Sequence, residues 1–285
     1  MKKTVLFAAA LFAVTAANAQ TGEITSNRGE NWLSQDGDWG LTFEATPLLN
    51  YAGNLFNGTS GNGGAALNNL NTGIFSGNSG VVIGGKKLVD ANTAYRAKLR
   101  IGFGSTKNTD LVAANPQPTP VPNPIATVED VEKNSYMNIA IGAGIEKRVG
   151  STRVVGIYGA EVMVGFGNSK TTNEYGNALT ATNAGPRQTE QKNGSTFGIG
   201  LNGFAGVEWF CAPKISLSGE YTWGLAMTST GTSETTTERF DTAANAIVST
   251  TTEGDGGLQG TDKTSNFSID TGVSGARIGI NFYFQ

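Results

Sequence analysis

The sequence contains no histidine. A serine or threonine nucleophile therefore lacks its usual general base, and triad-type hydrolysis has nowhere to start. Cysteine is nearly as scarce. Cys211 is the single thiol, so no intramolecular disulfide forms. It sits in Phe210-Cys211-Ala212-Pro213, read as a tight turn with a half-buried structural thiol. An excess of positive charge is also missing, which leaves no electrostatic footprint for nucleic acid. Without Lys2 and Lys3 the 20 basic residues fall to 18 against 23 acidic ones, a formal charge of −5. Asp36-Gly37-Asp38 and Glu253-Gly254-Asp255 lack the spacing of a calcium loop and read as turns, so the sequence calls for no metal and no cofactor. Long apolar runs are absent beyond Val5–Ala17, which is short of the roughly 20 residues a spanning helix needs.

That run follows Lys2 and Lys3 and precedes the small-residue triplet Ala17-Asn18-Ala19. Residues 1–19 therefore read as a secretory signal peptide cut between Ala19 and Gln20. Gln20 in place of cysteine argues against lipoprotein processing. Residues 20–38 read as a short periplasmic segment ahead of the main domain, residues 39–285.

What the domain has in abundance is glycine, 40 residues, and stretches in which apolar and polar side chains alternate. Period-two alternation marks a β-strand with two unlike faces. Leu41, Phe43, Ala45, Leu49 and Tyr51 form one such face, and Tyr95 to Phe103 another. Met137 to Ile145, Tyr158 to Phe166, Phe197 to Trp209, Ile215 to Leu225 and the C-terminal strand complete the set. A further strand over Val81 to Val89, with poor alternation, brings the count to eight, an even number as bacterial barrels require. The C-terminal strand changes parity near Gly275, which predicts a bulge there.

Short turns at Asp90-Ala91-Asn92, 148–152 and 211–213 alternate strictly with long polar stretches near 52–79, 106–135, 168–195 and 229–264. A soluble sandwich has no reason for this. A transmembrane barrel, with turns on one side and loops on the other, does. Aromatic residues favour the two bilayer interfaces. Trp39, Trp209, Phe282 and Phe284 fall near the short turns, and Tyr51, Phe103, Phe166, Phe197 and Trp223 near the long stretches. The expected fold is an all-β, eight-stranded, antiparallel, up-and-down transmembrane barrel. A ten-stranded barrel with a hairpin inside 52–79 is the alternative.

With the apolar parity facing lipid, the other face carries Glu44, Glu146, Glu161, Glu208 and Glu220 together with Arg96, Lys98, Arg100, Arg148 and Arg277. Charges within a low-dielectric wall persist when paired or hydrated, so this set predicts an ion-pair network filling the lumen. Basic neighbours favour the ionised carboxylates, the wrong state for a general acid. In the second long stretch Pro116, Pro118, Pro120, Pro122 and Pro124 recur at every second position and suggest an extended, stiff spacer. In the fourth, Thr235–Phe240 and Ala246–Thr252 flank a turn and predict a protruding hairpin. Its tip, Asp241-Thr242-Ala243, is similar to a bacterial O-glycosylation triplet.

The final strand, Arg277-Ile278-Gly279-Ile280-Asn281-Phe282-Tyr283-Phe284, resembles the C-terminal assembly signal of Gram-negative outer-membrane barrels. Arg277, Gly279, Phe282 and Phe284 occupy the signal's positions, with Gln285 as the one departure. Together with the strand pattern, the chain resembles the OmpA/OmpX-like family of small outer-membrane barrels, without a peptidoglycan-binding domain. The resemblance implies that the outer-membrane lipid and the barrel-assembly machinery are partners. It also implies long loops on the cell surface and both termini in the periplasm. Resident outer-membrane enzymes of this size rely on a histidine, which this chain lacks. The expected role is therefore a non-enzymatic structural or surface-interaction protein that engages a surface ligand. A narrow porin-like channel and an accessory subunit of a larger outer-membrane complex are the alternatives.

Overall fold

The computed structural model describes residues 24–44, 83–254, 263–270 and 276–285, excepting the side chains of residues 44, 270 and 276. The signal peptide, its Ala19–Gln20 cut, Tyr51 and the first long stretch, near 52–79, lie outside these residues. Regular structure among the described residues is entirely strand: β1 (Trp39–Glu44), β2 (Ile83–Asp90), β3 (Thr93–Ala113), β4 (Thr127–Val149), β5 (Val154–Glu174), β6 (Arg187–Lys192), β7 (Thr196–Ala212), β8 (Ile215–Thr230), β9 (Glu234–Asp241), β10 (Ala246–Glu253), β11 (Thr264–Asp270) and β12 (Ala276–Phe284).

Antiparallel pairing runs β1-β2-β3-β4-β5-β7-β8-β12 and returns to β1 through Trp39 opposite Phe284, closing a ring of eight strands. β1 pairs directly with β2, with Trp39 opposite Lys87 and Phe43 opposite Ile83. Among the described residues the ring thus has eight strands, and the hairpin of the ten-stranded alternative, inside 52–79, lies outside them. The turns at 91–92, 150–153 and 213–214 gather at one end of the ring, the turn end, together with the C-terminus. Pro213 and Lys214 form a two-residue turn. Lys214 takes a φ of 60°, the left-handed value that the third residue of a type II turn requires.

β11 and β12 both pair with β8. Asp270 faces Gly224 and Ala276 faces Tyr221. The step from 270 to 276 therefore opposes the shorter step from 224 to 221. The surplus is odd, so side chains change face between the two strands. That is the parity change expected near Gly275, although residues 271–275 themselves are not among those described.

The interior and exterior are reversed relative to a soluble protein. Outward-facing apolar side chains stay exposed, among them Ile101, Phe103, Ile141, Ile199 and Trp209, while Glu146, Glu208 and Lys86 are at most 2% exposed. The outward apolar positions of β3 run from Tyr95 to Phe103, about the 9–11 residues a tilted transmembrane strand uses. Aromatic rings mark both edges of this band. Trp39 faces Phe284 at the turn end, and Phe166 faces Phe197 at the other. Trp223 sits deeper, packed over Gly203, where a Cβ would come within 3.1 Å of the indole.

β3, β4 and β5 are 21, 23 and 21 residues long and continue well past that band. The stretches read as loops near 106–135 and 168–195 are thus strand in large part. The β3–β4 ladder is unbroken from Thr93 opposite Lys147 to Ala113 opposite Thr127. Apolar alternation reports which face meets an apolar medium. It says nothing about strands with polar surroundings on both faces, so their continuation was hidden from the pattern. The proline-rich segment between β3 and β4 is a folded cap rather than a spacer. Gln117 closes its base by donating to the carbonyls of Ala114 and Ala126 and accepting from the Ala126 amide.

Candidate functional site

Two features stand out: a lumen packed with charge and a sheet that rises from one side of the ring. The lumen is built by parity. β4 sends Glu146 and Arg148 inward, β7 sends Glu208, β8 sends Ser216 and Glu220, and β12 sends Asn281 and Tyr283. Glu146 is the hub, with Arg148 at 2.6 Å, Lys86 at 3.0 Å and Arg96 at 3.4 Å. Glu208 receives Arg148 at 2.8 Å, a hydrogen bond from the Tyr283 hydroxyl at 2.6 Å and another from Ser216. Arg96 also holds Glu220 at 2.9 Å and lies 4.1 Å over the Phe204 ring. Lys98 pairs with Glu161 at 2.7 Å. Polar contacts continue from Ser216 to Asn281 and on to Thr42, crossing the seam between the last and first strands.

Of the other residues assigned to this face, Arg100 is buried. Arg277 lies opposite Glu220 across the β8–β12 pair and makes no ion pair among the described residues. Glu44 pairs with Gly279 in the β1–β12 ladder, and its side chain is not among those described. Lys86 was missed because β2 reads Ile-Gly-Gly-Lys-Lys-Leu-Val-Asp, where adjacent glycines and lysines hide the parity. Register would have found it, since Lys86 lies opposite Arg96. Tyr283 shares the parity of Arg277 and Asn281, but alternation alone does not reveal its carboxylate partner, Glu208.

A partly open pocket of about 40 Å³ lies beside Lys86, Arg96, Lys98, Glu220 and Arg277, room for a few waters. Toward the turn end the inward face becomes apolar. Leu88, Ala94, Val155, Ile157, Phe210 and Tyr283 pack with Leu33 of the N-terminal segment. The apolar parity does not therefore face outward everywhere, since residues 24–38 bring the inner apolar side chains a partner.

At the opposite end the sheet order β3-β4-β5-β6-β9-β10 forms a wall above the ring. β6 and β9 continue the lines of β7 and β8. Thr196 faces Thr230 and, beyond a short gap, Lys192 faces Glu234. The hairpin expected in the fourth loop is thus β9 and β10, fastened to the third-loop strand β6. Ion pairs lace its surface: Lys170–Glu190 at 2.5 Å, Arg187–Glu238 at 2.7 Å and Lys192–Glu234 at 2.8 Å. Hydrogen bonding from Lys170 holds the Glu190 carboxyl below its ordinary range, and Glu234 likewise raises the Lys192 ammonium. Burial pushes the Tyr175 phenol up as its hydroxyl donates to the Gln188 carbonyl at 2.7 Å. Asn177 ties the second loop to the third by donating to the Ala113 carbonyl and accepting from the Asn115 amide. At the tip, Asp241 accepts from the amides of Ala243 and Ala244, which lowers its carboxyl.

Cys211 is exposed, not half-buried. Phe210 points inward, and a bulge between Phe210 and Ala212 leaves the thiol on the outer surface. Among the described residues, no group of histidine, cysteine, aspartate and glutamate could hold a metal ion.

The class these features define is a closed, antiparallel β-barrel with an ionic interior and an apolar exterior. No protein-family model and no curated protein matches the sequence. Among solved structures, the chain is similar to the crystal structure of a major outer membrane protein from Thermus thermophilus. The identity is 13% over 87% of this chain and 98% of that one, with a TM-score of 0.32. That likeness is too slight to add to the strand pairing, on which the fold stands.

Proposed function

We propose that the chain is a non-enzymatic outer-membrane barrel that presents a rigid sheet at the cell surface for binding a partner. The observation that carries this is the continuity of the wall. β3, β4 and β5 run unbroken from the charged lumen into it, and β6 and β9 extend the lines of β7 and β8. Partner-binding elements commonly ride on a rigid scaffold in this way. The exposed apolar belt supports membrane residence. A lumen filled with paired charge argues against a conduction path. A polar cleft of about 250 Å³ opens at the foot of the wall, lined by Lys170, Lys192, Asn193, Thr232 and Glu234 among others.

The test is crosslinking and pull-down from intact cells, comparing the native chain with a variant lacking 234–253. That deletion removes β9 and β10 but leaves β8 in the ring and β11 paired with it. Loss of a captured partner is the expected outcome. Unchanged interactions and surface phenotype would leave a purely structural barrel. Orientation is read separately. A tag inserted at Ala244 should be accessible on intact cells, and one at Ser151 only after the envelope is opened. A mature chain that is monodisperse in water without detergent would overturn membrane residence.

A further inference from the structure

Residues 24–38 make contacts that a disordered leader to the first strand would not need. Thr25 and Asn31 form a bridge around a small turn, in which the Trp32 amide donates to the Ile24 carbonyl at 2.8 Å. From there the segment crosses the turn end of the ring. The Trp32 carbonyl accepts from the Lys214 amide at 3.1 Å, in the β7–β8 turn. The Trp32 ring lies 4.7 Å under the Arg153 guanidinium, in the β4–β5 turn. Gly37 and Asp38 exchange backbone hydrogen bonds with Leu88 on β2. Asp38 is fully buried, ion-paired with Lys214 and bonded to the Gln35 amide at 2.7 Å.

Leu33, 4% exposed, sits among side chains from β2, β3, β5, β7 and β12, strands distributed around the whole circumference. A segment whose Leu33 joins one buried cluster drawn from all of these strands lies across the mouth. We propose that residues 24–38 are a stopper that seals the turn end of the lumen and docks only after the ring has closed. Its socket does not exist until β12, which supplies Tyr283, has paired with β1. Lys214 is the clasp. Its amide and ammonium hold the stopper, while its carbonyl accepts from the Tyr283 amide of the last strand at 2.8 Å. The stopper therefore couples the N-terminal segment to the closing seam.

The proposal rests on the barrel fold and not on the partner-binding role, and its test separates the two. In a Cys211→Ala background, Ala94→Cys places a thiol in the socket, where residue 94 is 0% exposed. Labelling by a hydrophilic maleimide is followed in the refolded mature chain, in detergent. The comparison is with a chain lacking 24–33 and with Leu33→Asp in the complete chain. Labelling should be at least tenfold faster in both variants, with Leu33→Met behaving like the parent. The rate of denaturant-induced unfolding should rise in parallel, because both variants take Leu33 out of the cluster it shares with Tyr283 of the last strand. Should the deletion fail to refold, Leu33→Asp decides alone. An unchanged labelling rate in a folded Leu33→Asp chain would overturn the proposal, whatever the partner experiment shows.

Discussion

Arg96 is the position where the energetics of the lumen are best tested. Its guanidinium serves two carboxylates. Glu220 is at 2.9 Å and Glu146 at 3.4 Å. Arg96→Met keeps much of the side-chain volume and removes the charge. Glu146 retains Lys86 and Arg148, so it stays compensated. Glu220 loses the only ion-pair partner it has within 4.0 Å among the described residues. Leaving one member of a buried pair alone costs about 3–5 kcal/mol. Loss of the cation stacked on Phe204 adds roughly 0.5–2 kcal/mol. The expected destabilisation is therefore about 3.5–7 kcal/mol, dominated by the stranded Glu220 carboxylate. Unfolding in denaturant from detergent micelles, followed by the fluorescence of the four tryptophans, measures it. The decisive variant is Arg96→Met with Glu220→Gln. Removing both charges should recover most of the loss, since the desolvation cost of the orphan disappears with it. A double variant no more stable than the single one would refute this reasoning, as would a single variant within about 0.5 kcal/mol of the parent.

Other consequences are equally direct. Gly159 faces inward, and an added Cβ would lie 1.9 Å from the Ile145 carbonyl oxygen and 2.8 Å from Phe204, so Gly159→Ala should cost about 1–3 kcal/mol or prevent refolding. Gly85→Ala, with nothing within 4 Å, should be neutral in the same denaturation assay. The Glu190 carboxyl should titrate by NMR below the ordinary value of about 4.3, and Lys170→Ala should move that midpoint upward. Because its folded pKa is depressed, the contribution of Glu190 to the β6 edge is present above the ordinary value and is lost as pH falls through the folded one. A midpoint at or above the ordinary value would sink the pairing. Cys211 should react with maleimide in the folded protein at close to the rate of a free thiol, with no loss of stability in Cys211→Ser.

The parts of this fold that could be read from the sequence are those where two media meet at a strand. Tyr95 to Phe103 and Met137 to Ile145 announce themselves because one face needs an apolar surrounding and the other does not. The same parity brought Arg96, Glu146, Arg148, Glu208 and Glu220 to one side, where the structure pairs them. Legibility ends where the contrast ends. Above the apolar band, residues 105–113 and 127–135 have water on both faces, and only their register with each other shows that they are strand. At the turn end, Leu88 and Phe210 lie on the inward face, where an apolar side chain finds a partner only once the N-terminal segment has folded back. Lys86 was obscured for a third reason. Two glycines beside it remove the side chains from which the eye counts parity, and its role follows only from the neighbour opposite.

For the proposed partner-binding role, strand continuity also sets the kind of surface the wall would present. A loop tethered to a barrel must lose conformational freedom when it meets a partner, and that loss subtracts from affinity. Here β6 and β9 extend the lines of β7 and β8, and those strands are held at their other end by Glu208 and Glu220 in the lumen. The orientation of the hairpin tip is thus fixed by ion pairs far below it, through the backbone ladders that join β5 to both β7 and β6. Arg187 and Lys192 then stop β6 and β9 from sliding past one another, since a one-residue slip would turn their side chains to the other face. A surface ordered before contact suits a partner that reads shape and backbone edge. On this account, weakening Arg187 and Lys192 should lower partner affinity while leaving the barrel's own unfolding midpoint unchanged, because the ring below does not depend on them.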